Sequence, residues 1–109
     1  MGVHSVQLGA NSLITTTGVT LYTVPSGKRT ILKSLIIENL HTATQRVIVT
    51  VKNGGTTKVQ WVIWPAAGSS NGETVVQTLW VVLNVGDDIE IKPALGNVEA
   101  IASGAELDL

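Results

Sequence analysis

Residues 19 to 40 constrain the fold more than any other stretch, because they can only be read as strand, tight turn and long strand. Val19, Leu21 and Thr23 alternate with Thr20, Tyr22 and Val24, and all six favour extended backbone. Pro25-Ser26-Gly27 then ends the run. Proline presets φ for the first corner of a turn, and glycine two residues on accepts positive φ. Thr30 to Leu40 resumes as a strand that is apolar on both sides. Ile31, Leu35 and Ile37 share one parity, and Leu32, Ile36 and Leu40 share the other. Lys33, Ser34 and Glu38 interrupt the two rows. Such a strand is expected to be covered on both faces, one by the core and the other by a partner or by the chain's own arm.

The rest of the chain repeats this grammar. Residues 1 to 18 are expected to give an N-terminal arm or a short edge strand, a loop at Gly9-Ala10-Asn11-Ser12 and a brief strand from Leu13 to Thr17. His41 to Thr44 reads as a turn. Gln45 to Lys52 alternates, with Val47, Val49 and Val51 facing inward. Asn53-Gly54-Gly55 is a hairpin signal, since these residues tolerate positive φ. Thr56 to Trp64 returns, and Pro65 to Gly72 forms the longest loop. Glu73 to Leu83 and Asp88 to Pro93 are strands separated by a turn at Asn84-Val85-Gly86-Asp87. Ala94 to Asn97 turns the chain once more. Val98 to Ser103 is a short strand, with a last one at Glu106 to Leu109. No window has helical periodicity. The expected fold is all-β, an antiparallel β-sandwich or jelly roll of about eight strands. Residues 19–109 form the sandwich and 1–18 its arm and edge strands, in one domain overall.

Composition adds an argument about assembly. Charged residues make up 14% of the chain, against about 25% in ordinary soluble domains. Mean hydropathy is positive. A small sandwich has much surface to cover, and here it has few charges to cover it. Part of that surface is therefore expected to lie against another subunit or a larger body. The charge is also unevenly distributed. Residues 1–64 hold six basic residues against Glu38, and residues 65–109 hold Lys92 against seven acidic ones. With a net charge of −1, nucleic acid and anionic membranes are not expected partners. No secretory leader is expected from the first residues, and no apolar run is long enough to span a bilayer. There is no cysteine, so disulfides, thiol nucleophiles and Cys-type metal sites are excluded.

Motifs that carry chemistry are weak. His4 and His41, the two histidines, have no metal-pair spacing. Asp87, Asp88 and Glu90 are better read as turn and solvated-face residues than as a calcium loop. Gly27-Lys28 fails as a phosphate loop. Tyr22 stands where the first glycine belongs, Arg29 replaces Ser/Thr, and no helix follows. No serine sits in a nucleophile motif, and no carboxylate pair stands out as an acid/base couple. An enzyme is not expected, and neither is a cofactor. Trp61, Trp64 and Trp80 are the only tryptophans, and there is no phenylalanine. Trp61 and Trp64 point to opposite faces of their strand, so one of them is expected outside the core. Exposed tryptophans suit a subunit interface or a sugar-stacking platform, and the interface is favoured here. The candidate interface residues are Trp61, Trp64, Trp80, Leu32, Ile36 and Leu40.

Leu21-Tyr22-Thr23-Val24-Pro25-Ser26-Gly27-Lys28, the strand that follows, and Asn39 together resemble a segment of small tailed-bacteriophage virion proteins. Those proteins share a Leu-Tyr-Thr-Val-Pro-x-Gly-Lys opening. The likeness extends to Val82-Leu83-Asn84-Val85-Gly86-Asp87-Asp88 and to Ser103-Gly104-Ala105-Glu106-Leu107, where the family has a Leu-x-x-Gly-Asp turn and a Ser-Gly-x-Glu-Leu ending. Val85 departs from the proline often found before Gly-Asp. The resemblance covers most of residues 19 to 107. It implies a β-sandwich subunit that forms oligomers, often trimers, and decorates or joins virion parts. The first expectation is a capsid decoration (cement) protein that binds the major capsid protein on the particle surface after synthesis in the host cytoplasm. The alternatives are a tail, baseplate or fibre module, glycan-binding through a surface tryptophan, and a non-viral carbohydrate-binding sandwich. The family brings no catalytic residues.

Overall fold

A computed structural model of the chain describes residues 3–67 and 73–109. Eight strands follow in order: β1 (Val3–Ile14), β2 (Val19–Thr23), β3 (Lys28–Asn39), β4 (Val47–Asn53), β5 (Thr56–Ile63), β6 (Thr74–Leu83), β7 (Asp87–Pro93) and β8 (Val98–Asp108). No helix occurs among the described residues. The strands build two four-stranded antiparallel sheets, ordered β1-β8-β3-β6 and β2-β7-β4-β5. Thus β1 pairs with β8, β2 with β7, β3 with β6 and β4 with β5. This is one long antiparallel ribbon whose tip is the β4–β5 hairpin. Wrapping that ribbon on itself adds the β3–β8 and β4–β7 pairs and closes two sheets over one core, the jelly-roll form of the sandwich.

The tip of the ribbon is the two-residue turn that Asn53-Gly54-Gly55 signals. Asn53 pairs with Thr56, and both central glycines have positive φ, 58° and 86°. At Pro25-Ser26-Gly27 the Lys28 amide donates to the Pro25 carbonyl (3.3 Å), and Gly27 has φ 78°. Lys28 then forms an ion pair with Asp108.

The core is aliphatic. Val47, Val49 and Val51 face inward, as do Ile89, Ile91, Leu83, Val98, Ala100 and Ala102. β3 departs from the expected parity. A register shift between Leu32 and Ser34, shared with both neighbours, reverses its alternation, and against β8 Lys33 is the extra residue. Thr30 and Leu32 point inward before the shift, and Leu35, Ile37 and Asn39 after it. Leu32 therefore lies wholly inside the core and not on an outer row with Ile36, while Ile31 lies outside it. Simple alternation does not see this, because the shift costs one residue of phase.

Two other expectations are corrected. Residues 3–14 form one continuous strand along β8, with no loop at Gly9-Ala10-Asn11-Ser12 and no separate strand at 13–17. The turn-forming residues are absorbed as register shifts at Gln7/Gly9 and Asn11/Ile14, where Asn11 Oδ1 accepts from the Leu13 amide (2.9 Å). The break falls at Thr15–Gly18, where the Gly18 amide donates to the Thr15 carbonyl (2.9 Å). Likewise the two C-terminal strands are a single β8, since Gly104 and Ala105 continue the ladder opposite Leu32 and Ile31. Part of the long loop expected at 65–72 lies outside the described residues.

Asp87, expected in a turn, instead opens β7 and is 1% exposed. Its carboxylate accepts from Lys58 Nζ (3.0 and 3.1 Å), Asn53 Nδ2 (2.8 Å) and the Asn84 amide (2.9 Å). Its carbonyl accepts from the Val24 amide (3.0 Å). One side chain therefore holds the ribbon tip to the β6–β7 turn. Burial alone would raise its pKa, but the hydrogen bonds from Asn53 and Asn84 and the Lys58 ammonium outweigh burial and hold the carboxyl below its ordinary value. The folded pKa lies below the unfolded one. This stabilisation is therefore present above the unfolded pKa of about 4 and is lost as pH falls through the folded value. Asp87→Asn is expected to cost about 2 kcal/mol at neutral pH and to flatten the acid limb of stability against pH, measured by urea unfolding at a series of pH values. An acid limb identical to the parent's would refute the assignment.

Candidate interaction surface

The two edges of the sandwich differ. On the β1/β2 side the layers are sealed by close backbone contact, with Gly9 against the Leu21 carbonyl. On the other side β5 and β6 are the edge strands of their sheets. A cleft of about 480 Å³ opens between them, lined among others by Val59, Trp61, Gln77, Leu79 and Val81. Across it the Trp61 indole Nε1 donates to Gln77 Oε1 (2.9 Å) and ties β5 to β6.

These two strands also carry much of the exposed apolar surface. On β6 the outward row is Val76 (63% exposed), Thr78, Trp80 (69%) and Val82. Val59 and Val62 of β5 are exposed too, and Trp64 (63%) stands just past its end. Lys33, thrown outward at the β3 register shift, places its Nζ 5.3 Å from the Trp80 ring centroid, within cation–π range. The structure thus brings Trp61 and Trp80 to one cleft, leaves Trp64 exposed past the end of β5 and outside the cleft lining, and sets Ile36 half-buried on the outer face next to β6. Leu40 lies elsewhere, half-buried past β3. It is held through its amide by the Asn97 carbonyl (3.0 Å) and through its carbonyl by Asn97 Nδ2 (3.1 Å).

Among the described residues, no converging chemistry accompanies this surface. His4 Nε2 lies 3.5 Å from Asp108, and His41 Nδ1 accepts from the Ala43 amide (3.2 Å) in its own turn. Both Asp87 oxygens are taken up by protein donors. On the outer face Glu38 stands directly across from Glu99 and accepts from Thr74 Oγ1 (3.1 Å). Among the described residues, no three His, Asp or Glu side chains are grouped to hold a metal ion. The cleft escapes a sequence reading because it comes from which strands end up at the sheet edges. The one hint was the composition of residues 74–83, which lack any charge or proline.

No family model matches the chain, and no curated protein matches it. Among solved structures, the chain is similar to one described as "Structure of infectious bursal disease virus Gt strain", at 13% identity and a TM-score of 0.43. The match covers 96% of this chain and spans 30% of that one.

Proposed function

We propose that the chain is a non-enzymatic virion structural protein of a tailed bacteriophage, an oligomeric capsid decoration (cement) subunit that works by burying surface on the particle. One observation carries this reading: the open side of the jelly roll, where two unpaired edge strands flank an apolar cleft and present Val76, Trp80 and Val82 to the outside. An apolar, charge-poor edge of this kind is a liability for a free monomer and an asset for a subunit docked on a lattice. The Leu-Tyr-Thr-Val-Pro-x-Gly-Lys resemblance supports the same reading, and so does the low charge content. A stable contact of standard size buries on the order of 1,600 Å², and repetition over a capsid multiplies its effect against internal pressure.

A tail or fibre module that stacks sugar on a tryptophan is the second reading. Trp64 favours it, since its ring is exposed and Trp80 already has Lys33 on one face. Copy number separates the two. The decoration reading expects the chain on purified heads at the multiplicity of the capsid lattice, and heads that lack it should release DNA at a lower temperature. Trp80→Ala is expected to lower occupancy on heads severalfold while the circular dichroism of the free protein stays unchanged. Recovery of the chain only with tails, at their low multiplicity, would overturn the decoration reading.

A further inference from the structure

We propose that the free edge of β6 is a self-association surface, on which a second copy of this chain pairs its own β6 antiparallel about a two-fold axis through Thr78. Among the described residues, no strand pairs with this edge, so its backbone donors and acceptors make another strand its natural occupant. Edge strands are normally guarded by charge or proline, and β6 has neither over ten residues. The occupant is identified by charge. At one end of β6, Lys33 reaches over the strand to Trp80. At the other end, the Glu38 carboxylate is held on the strand by Thr74. An antiparallel pair with Thr78 opposite Thr78 overlaps Thr74 to Val82 in both copies and keeps each side chain on its own face. It sets Trp80 across from Val76 of the partner subunit and Val82 across from Thr74 of the partner subunit. Lys33 and Glu38 of the partner subunit then lie on β3 strands three spacings apart, about 14 Å at the backbone, so their opposite charges attract across the β6 pair at low salt without touching, and symmetry makes that attraction twice. Parallel pairing would bring like ends together, with Lys33 beside Lys33. The same axis sets the two clefts mouth to mouth and covers Trp61 and Leu79. This inference rests on the assembly reading proposed above and names the surface it uses.

The chain has no cysteine, so Thr78→Cys introduces a single, well-placed thiol. Under mild oxidation it is expected to form a covalent dimer, whereas Thr20→Cys on β2 stays monomeric under the same conditions. By sedimentation, Lys33→Glu and Glu38→Lys are each expected to weaken the dimer of the full chain about tenfold at low salt, and the double variant restores it. A chain that is monomeric at every concentration, a trimer, or a charge swap that fails to rescue would each overturn the two-fold. A monomer that still loads onto heads overturns this inference and leaves the virion role standing. A dimer that never joins particles does the reverse.

Discussion

Gly104→Ala is expected to cost about 3 kcal/mol or more and to move the urea midpoint sharply downward. A Cβ on Gly104 would sit 2.0 Å from the Ile31 carbonyl oxygen, 3.0 Å from its carbon and 3.3 Å from the Leu32 Cα. All three are backbone atoms in β3, in the interior of a sheet, where no flexible side chain can yield. β8 would have to move off β3 at the very register shift that turns Leu32 and Leu35 into the core. Gly9→Ala meets the same obstacle at the seam between the layers. Its Cβ would lie 2.0 Å from the Leu21 carbonyl oxygen. There the loss is expected to open the β1/β2 side as well as to lower stability. Gly27 provides the contrast. It has φ 78° but nothing within 4 Å, so Gly27→Asn pays only for its backbone conformation and should cost about 1 kcal/mol or less. Similar midpoints for all three variants would show that the close approaches are not rigid.

The same glycines show what was legible in the sequence. Gly27, Gly54 and Gly55 announce themselves, because turn glycines stand beside proline, serine or asparagine and between alternating runs. Each lies in the turn that its neighbours lead one to expect, and the strands between them follow. Gly9 and Gly104 look like the same signal, and the local sequence leads one to expect breaks at both. Their role is close backbone approach between strands far apart in sequence, which no local window contains. The phase of β3 is hidden from the sequence for a related reason. Lys33 reads as a polar interruption, whereas in the structure it marks the shift that reverses the strand's faces. Of the interaction surface, the uncharged run of β6 and the exposure of one of Trp61 and Trp64 are readable from alternation. The meeting of β6 with Trp61 at an open side is not, because it depends on how the ribbon wraps. In the C-terminal half, β6 and β7 alternate regularly and keep the expected phase, whereas β8 runs straight through Gly104, where a break is expected.

Gln45 is the second position where a single change should be severe, and here pH gives the mechanism. Gln45 and Asn39 are buried polar side chains that staple three loops at one end of the sandwich. Gln45 Nε2 donates to Asn39 Oδ1 and to the Gly96 carbonyl, both at 2.8 Å, and its Oε1 accepts from the Leu95 amide (2.9 Å). Asn39 Oδ1 also accepts from the His41 amide (3.0 Å), and its Nδ2 donates to the Ala43 and Pro65 carbonyls (2.9 and 3.1 Å). Every donor and acceptor of both amides is used, and among the described residues no buried side-chain polar atom lacks a partner. A network this complete is costly to break, since each orphaned buried group loses about 1–3 kcal/mol. Gln45→Ala orphans the Gly96 carbonyl and the Leu95 amide and is expected to cost about 3 kcal/mol. Gln45→Glu is the sharper test. Its second oxygen would face Asn39 Oδ1 and the Gly96 carbonyl, two acceptors, so the ionised form is repelled. Its folded pKa is then raised above the unfolded value of about 4.3. The penalty is therefore full at neutral pH and shrinks as pH falls and the acid gains a proton to donate. Between neutral pH and about pH 5, before the carboxylates that stabilise the fold begin to titrate, Gln45→Glu should gain stability relative to the parent. Asp87→Asn should hold a constant deficit over that range and recover only in stronger acid. Measured in one series of urea titrations, the two variants must separate in this way. A Gln45→Glu deficit that does not change with pH would mean that the carboxylate has turned out of the network to water.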